Sequence, residues 1–346
     1  MGDIPIGTSD ARTQKLWEEM LLIDTPKAQF FNEGTQSRNG DSIVYVSDRL
    51  GSQKGDVVTL GIRQRLNRGW LPSGVKVDGN EYNLKTIVDT VSVTDKQFGI
   101  TSNDRLSEQR AFYNMPKEDR AAIIDNAAEA TDQDFFTALD ATNTHTIYKD
   151  AGDIKATATV ATAQNAVTAV DRLTPELLTQ LYAIASTGFN RRRTPLMPLR
   201  IDGQKYFVLL THPDGLAELE NDTTFLAGQR EAMQRGADNP LFLRAKSVWR
   251  NIIIMSHENV TIGTGTIAPY VRSHLLGANA LGYAWAQKPI IEAKTPPYKT
   301  QERGWGYFAM YGITKLQSVD TSGVASDFGA ITVVTARKAY SDITIA

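Results

Sequence analysis

The hydrophobic and polar positions at the start of the chain predict an arm that contains one helix. Leu16, Met20 and Ile23 fall at helical spacing, and Pro26 ends this stretch. A polar segment follows and leads into the apolar residues at 43–46, which predict a short strand. We therefore interpret this region as an arm that precedes the first β structure.

The next fifty residues alternate between apolar and polar positions, as expected of a β ribbon. Apolar residues at alternate positions from Val58 to Ile62 define one face of a strand, and the other face carries Arg63 and Arg65. A second strand is predicted at 87–93. The tip between the two strands is about 20 residues long, which is unusual inside a compact domain. Because such a ribbon buries little of itself, we expect it to lie on a neighbouring subunit.

The strongest helical pattern runs from 116 to 140. Pro116 stands at the first helical position, and apolar or small residues recur at spacings of three and four. A helix of this length measures about 37 Å. It carries seven acidic residues against Lys117 and Arg120. We interpret this imbalance as a solvated acidic face.

Further elements are predicted beyond this helix. The Ala- and Thr-rich stretch 154–170 indicates an extended connector or an exposed strand, a helix begins at Thr174 and ends at Gly188, and 212–246 carries weak signals. The remaining predicted strands lie at 206–210, 247–255, 307–316 and 331–335.

A last helix is predicted near 271–287, from the spacing of Ala278, Leu281 and Trp285. The segment is rich in small residues. Each glycine costs about 1 kcal/mol relative to alanine inside a helix. We therefore expect another backbone to approach the segment closely.

Composition narrows the classes of function. The 346 residues suggest about two domains, and a hydrophobic share of 41% is enough for a sizeable core. The net charge of −2 lacks the basic excess of a dedicated nucleic-acid binder. The absence of cysteine excludes disulfides, thiol nucleophiles and thiolate metal sites. No targeting segment or membrane span is visible, which favours a soluble protein made in a cytoplasm.

Catalytic chemistry finds little support in the sequence. The four histidines lie in unrelated contexts, and no nucleophile elbow, P-loop or metal-binding pattern is present, so we predict no catalytic, cofactor or metal residues and no enzyme activity. One pattern is compatible with a dinucleotide-binding site, because residues 263–268 fit Gly-x-Gly-x-x-Ala between a predicted strand and a predicted helix. It is read as a plain turn, with a nicotinamide-dinucleotide site as the alternative.

Two further features point to contacts between chains. Trp70 lies near Arg68 and Lys76 at the ribbon tip, and tryptophan and arginine are favoured at interface hot spots. The basic triplet 191–193 is either a solvated loop or a contact to carboxylates or phosphates of another chain.

Several segments, taken in order, resemble the HK97-like fold of tailed-phage shells, and most closely the podophage N4-type family of major capsid proteins. The segments that carry the resemblance are Gln14-Lys15-Leu16-Trp17, Lys54-Gly55-Asp56-Val57-Val58-Thr59, Asp78-Gly79-Asn80-Glu81, Ser107-Glu108-Gln109-Arg110, Asp132-Gln133-Asp134-Phe135-Phe136-Thr137-Ala138-Leu139, Leu275-Leu276-Gly277-Ala278-Asn279-Ala280-Leu281 and Tyr311-Gly312-Ile313. Each motif is weak alone, and their order along most of the chain is the specific part.

The resemblance implies an α+β fold with four named parts. Residues 1–47 would be the N-arm, and 48–100 the extended E-loop. Residues 101–150 together with 291–346 would form the P domain around a long spine helix. Residues 151–290 would form the A domain, which faces the centre of the capsomer.

The same resemblance implies a major capsid protein that self-assembles into an icosahedral head around double-stranded DNA. The expected partners are further copies of the chain in hexamers and pentamers, portal and scaffold proteins, and decoration proteins where a shell has them. The expected location is the virion, after assembly in the bacterial host cytoplasm, with no membrane and no cofactor. An encapsulin-like compartment shell is the alternative. The candidate residues for contact between subunits are Arg63, Arg65, Trp70, Arg191, Arg192 and Arg193.

Overall fold

The computed structural model describes residues 29–31, 35–38, 41–48, 55–63, 71–79, 86–102, 115–141, 143–157, 159–188, 196–201, 203–231, 247–294, 303–319 and 325–338. The helix predicted near the start of the chain lies outside these ranges. Within them the helices are α1 (Met115–Asp140), α2 (Val160–Ala166), α3 (Pro175–Thr187), α4 (Pro213–Glu220) and α5 (Thr223–Glu231).

The strands are numbered in chain order. They are β1 (Gln36–Ser37), β2 (Val44–Ser47), β3 (Val57–Arg63), β4 (Thr86–Ser92), β5 (Thr94–Ser102), β6 (Thr146–Asp150), β7 (Asp153–Thr157), β8 (Leu199–Ile201), β9 (Gln204–Thr211), β10 (Ser247–Trp249), β11 (Ile252–Ser256), β12 (Ile262–Thr264), β13 (Pro269–Leu276), β14 (Leu281–Lys294), β15 (Arg303–Lys315), β16 (Gln317–Val319), β17 (Ala325–Asp327) and β18 (Ala330–Ala336).

Two large sheets carry the fold. The five-stranded sheet has the order β1-β2-β14-β15-β5. The nine-stranded sheet follows the path β10-β11-β9-β13-β18-β6-β7, with β12 beside β13 and β8 beside β9. The strands β3 and β4 form a separate antiparallel ribbon, and β16 and β17 form a small hairpin. The α+β class expected from the sequence is confirmed.

The long helix α1, predicted at 116–140, is confirmed and packs on the five-stranded sheet. Its buried residues Ile123, Ala127, Phe135 and Leu139 recur at multiples of four positions, so they form one apolar stripe. The ring of Phe135 lies 5.2 Å from that of Tyr283 on β14. The same apolar cluster includes residues of β9, β11 and β13, so α1 also borders the nine-stranded sheet.

The other face of the nine-stranded sheet is covered by helices. Leu177, Leu178 and Leu181 of α3 are fully buried with apolar residues of β9, β11 and β18. The side chain of Thr174 accepts the Leu177 amide at the start of α3, and Gly188 caps its end, as the sequence predicts.

The helix predicted at 271–287 is wrong, because this segment forms β13, a tight turn and β14. Strand pairing outweighs the helical spacing of this segment, because β13 lies between β9 and β18 and is buried on both faces. The expected close approach of a backbone is confirmed in the turn. A Cβ added to Gly277 would lie 2.4 Å from the Met197 carbonyl oxygen.

The other predicted strands are confirmed. The strands predicted at 43–46, 58–62, 87–93, 206–210, 247–255, 307–316 and 331–335 correspond to observed strands, with 247–255 divided into two. The stretch 154–170 holds an exposed strand, β7, followed by the short helix α2. The weakly patterned 212–246 holds α4 and α5 up to Glu231, and the rest of that stretch lies outside the described residues.

Candidate functional site

The ribbon of β3 and β4 is anchored at its base by alternating apolar side chains. Val58 and Leu60 of β3 and Val91 of β4 are almost fully buried, and they pack against Ala284 and Leu316 beside the five-stranded sheet. A two-stranded hairpin is marginally stable alone, so this packing is what holds the ribbon base.

Two further contacts fix the ribbon base to the sheet. The Asp89 carboxylate accepts the backbone amide of Gln317 at 2.8 Å. Gly312 of β15 lets the ribbon approach closely, because an added Cβ there would lie 2.0 Å from the Ser92 carbonyl oxygen. The base is therefore a fixed part of the subunit.

The described part of the ribbon tip, 71–79, has no comparable support. Every residue in it except the half-buried first one is exposed, and Gly74 and Gly79 adopt positive φ values in its turns. Val75 and Val77 are 43% and 65% exposed. Their apolar surface is left uncovered by the described part of the chain.

The predicted contact residues fall mostly beyond what the structure describes. Arg63 is the last residue of β3, where its backbone pairs with Thr86, and its side chain is not among those described. Arg65, Trp70 and the triplet 191–193 lie outside the described residues. All six therefore remain predictions.

The acidic residues of α1 are not all solvated, which corrects the interpretation from sequence. Asp132 is buried, and its carboxylate accepts the backbone amides of Phe30 and Phe31 at 2.7 and 3.3 Å. Asp134 accepts the Tyr311 hydroxyl at 2.9 Å. These acids attach the arm and the sheet to the helix, because a buried carboxylate needs partners to offset its lost hydration.

Asp140, the last residue of α1, lies at a polar junction with the nine-stranded sheet. One oxygen is 3.1 Å from both Arg272 Nη1 and His274 Nε2, and the other accepts the Thr261 hydroxyl. Burial alone would raise the pKa of this carboxyl. The hydrogen bonds from His274 and Thr261 and the charges of His274 and Arg272 outweigh burial and lower the pKa from 3.8 to about 2.

A second buried polar group lies beside this junction. Lys315, at the end of β15, is 3.3 Å from Asp327 and donates to the Asn143 side-chain oxygen at 2.7 Å. Asp327 in turn accepts the Thr144 amide at 2.9 Å. Burial lowers the pKa of Lys315, although the carboxylate of Asp327 opposes this effect. The contacts among Lys315, Asp327 and Asn143 join segments that are far apart in the sequence.

One feature of the sequence indicates that Asp140 needs cationic partners. The C-terminal end of a helix carries a partial negative charge, so an acid at Asp140 is unfavourable there without cationic partners. The last turn of α1 holds no basic residue, so the cations had to come from elsewhere in the chain. They are Arg272 and Lys315, whose ammonium group also donates to the Leu139 carbonyl oxygen at 3.3 Å.

The candidate dinucleotide fingerprint at 263–268 is a turn between strands. Gly263 belongs to β12, and the chain returns as β13 from Pro269, so no helix follows the glycines. The amide of Gly265 is already bonded to the Ala268 carbonyl oxygen at 3.0 Å. Because no helix N-terminus follows and the Gly265 amide is already bonded, the turn lacks the phosphate-binding geometry of that motif.

The part of the chain that the structure describes shows neither a metal centre nor a membrane-spanning helix. No group of three or more His, Asp or Glu side chains there is arranged to hold a metal ion. Among the helices that the structure describes, none is long and apolar enough to cross a membrane.

Several solved structures of phage capsids are similar in fold to this chain. The chain is similar in fold to the capsid of Ralstonia phage GP4, with a TM-score of 0.76, 21% identity and coverage of 98% of this chain and 99% of that one. It is also similar to the capsid of Cyanophage Pam1, with a TM-score of 0.69, 17% identity and coverage of 89% and 92%. The head structure of Helicobacter pylori bacteriophage KHP40 matches with a TM-score of 0.67, 13% identity and coverage of 90% and 91%.

A spine helix on a sheet, a projecting ribbon and a second large sheet thus define a shell-forming protein with the HK97-like fold. The chain belongs to the phage capsid protein family, which matches residues 5–339. No curated protein matches it. Its function is that of a capsid protein of a tailed phage, its copies assemble into a multimeric shell, and its location is the virion.

Proposed function

We propose that the chain is an N4-type podophage major capsid protein that builds an icosahedral head from hexamers and pentamers. In this proposal 1–47 serves as the N-arm, 48–100 as the E-loop, 101–150 with 291–346 as the P domain, and 151–290 as the A domain. The order of the sequence motifs supports the subfamily, and the family match supports the shell.

The observation that carries the assembly mechanism is the contrast along the ribbon. Its base is buried on its own sheet, whereas its tip exposes Val75 and Val77. An apolar tip on a fixed base gains stability only when another surface covers it, and closed shells repeat one such contact many times. The ribbon of each copy therefore lies across a neighbouring copy.

Charged and aromatic residues would give this contact its specificity. Arg63 and Arg65 meet carboxylates of the neighbour, and Trp70 anchors the tip. The triplet 191–193 makes a second contact to carboxylates of an adjacent chain. Arginine suits these roles because its planar guanidinium binds a carboxylate through two hydrogen bonds.

The test combines Arg63→Glu with Arg65→Glu. We expect folded, soluble subunits that no longer form particles in negative-stain micrographs, because four units of charge change where the ribbon meets its neighbour. The matched control is Arg200→Glu with Lys205→Glu, an exposed pair on the β8–β9 hairpin that changes the charge equally. Normal particles from the ribbon variant, or their loss in both variants, would reject the ribbon contact.

We propose further that the shell encloses double-stranded DNA without sequence-specific binding. The net charge of −2 and the exposed acids Glu118 and Glu129 on α1 support a lining that holds DNA loosely. Salt-sensitive DNA binding by purified subunits would contradict this. The remaining parts of the proposal are assembly in the host cytoplasm with portal and scaffold proteins, decoration proteins where present, and no enzymatic role.

A further inference from the structure

The two large sheets are joined at one narrow place, which we call the waist. Within the described residues, the chain passes between the sheets three times: after α1 at 141 and 143–145, between β13 and β14 at 277–280, and from β15 to β18 at 316–319 and 325–329. These three segments bond to each other. The Gly277 amide donates to Gly329 at 2.8 Å, and the Leu316 amide donates to Ala280 at 3.1 Å.

Apolar packing holds the sheets together at the waist but does not fix their angle. The cluster around Phe135, Phe136 and Leu139 of α1 includes residues of both sheets. Hydrophobic burial is non-directional, so by itself it selects one arrangement less sharply than polar contacts do. Hydrogen bonds and ion pairs depend on angle and distance, so they are the contacts that select one arrangement.

Side chains of α1 make directional contacts to each sheet. Asp134 bonds to Tyr311 of the five-stranded sheet, which fixes the helix to its own support. Asp140 reaches the nine-stranded sheet through Arg272 and His274, which share one face of β13 because they are two positions apart. Thr261, just before β12, binds the other oxygen of Asp140.

We infer that Asp140 is a latch that sets the angle between α1 and the nine-stranded sheet, and thereby the curvature of the shell that copies of the chain build. Small rotations of one packed body on another are a known way in which local contacts change a whole assembly. Opening the latch leaves the apolar cluster and the Lys315 group in place, so the subunit still folds. It removes the direct contact of α1 with β13, so the angle between them varies more from copy to copy. The inference rests on the shell-forming function stated above.

The test compares particles from the unaltered chain, Asp140→Asn and Asp125→Asn. Asp125 is the matched control, because it is an exposed acid of the same helix and the chemical change is identical. We expect Asp140→Asn subunits to be folded by circular dichroism and to give a shifted or broadened distribution of particle diameters in electron micrographs. Asp125→Asn should match the unaltered chain.

Each outcome decides the inference. Diameters of Asp140→Asn particles that equal those of the unaltered chain overturn the latch and leave the shell function standing. No particles from the unaltered chain would overturn the shell function and the latch with it. If Asp140→Asn does not fold, Thr261→Val decides, because it removes one hydrogen bond and keeps the charges. A shifted distribution supports the latch, and an unchanged one overturns it.

Discussion

The ribbon and the waist differ in how much of their surface is buried within one subunit. At the waist, Lys315 and Asp327 are buried and Asp140 is half-buried, and all three find their partners within the chain. At the ribbon tip, Val75 and Val77 are exposed. The waist is therefore complete in one subunit, whereas the ribbon becomes buried only in an assembly. Stability should reside in the first region and shell formation in the second.

The largest expected effect comes from breaking the buried pair at the waist. The side chains of Lys315 and Asp327 are 3% and 1% exposed, so Asp327→Ala leaves an unpaired buried ammonium and should cost about 3–5 kcal/mol of unfolding free energy. The control is Asp48→Ala, which breaks the exposed Arg38–Asp48 pair, 69% and 50% exposed, at a cost of about 0–1 kcal/mol. Urea unfolding of unassembled subunits measures both, and equal costs would contradict the comparison.

A smaller effect should separate the two ends of the ribbon. Leu60 is buried at the base, so Leu60→Ala should lower the unfolding free energy by about 3 kcal/mol through lost burial and a cavity. Val77→Ala at the exposed tip should change it by less than about 0.5 kcal/mol. Denaturant unfolding of the two variants checks this. A large loss from Val77→Ala would show that the tip packs within its own chain.

The smallest expected effect is the pH dependence of the Asp140 contribution. The pKa of Asp140 is lowered from 3.8 to about 2 in the folded chain, so its ionised form stabilises the fold at higher pH. This contribution, about 2 kcal/mol, is fully present above pH about 4 and is lost as pH falls through about 2. The difference in unfolding free energy between the unaltered chain and Asp140→Asn should narrow over that window. A difference that stays constant would rule out this linkage.

Local pattern was sufficient for the elements that a single stretch of chain specifies. Pro116 and the spacings of three and four that follow it predicted α1, and the alternation from Val58 to Ile62 predicted β3. The prediction of a helix at 271–287 was wrong, because residues at helical spacing there form strands of two sheets. Strand burial there depends on β9 and β18, which are distant in sequence and invisible to local periodicity.

The polar site was the least predictable part. Nothing near Asp140 in sequence indicates Arg272 and His274, which lie more than a hundred residues away and meet it only through the packing of α1 on β13. The acids of α1 therefore looked alike in sequence, although Asp132 is buried, Asp140 is half-buried and Asp125 is exposed.

The sequence by itself determined the long helix, the ribbon, the absence of thiol chemistry and the resemblance to phage shells, because each of these depends on residue types and on spacing along the chain. Only the tertiary structure decided which acids of α1 bind other parts of the subunit. It also decided that the three segments between the sheets meet at the waist, and that the glycine pattern at 263–268 forms a turn between two strands. These depend on contacts between distant segments, and such contacts exist only once the sheets have formed.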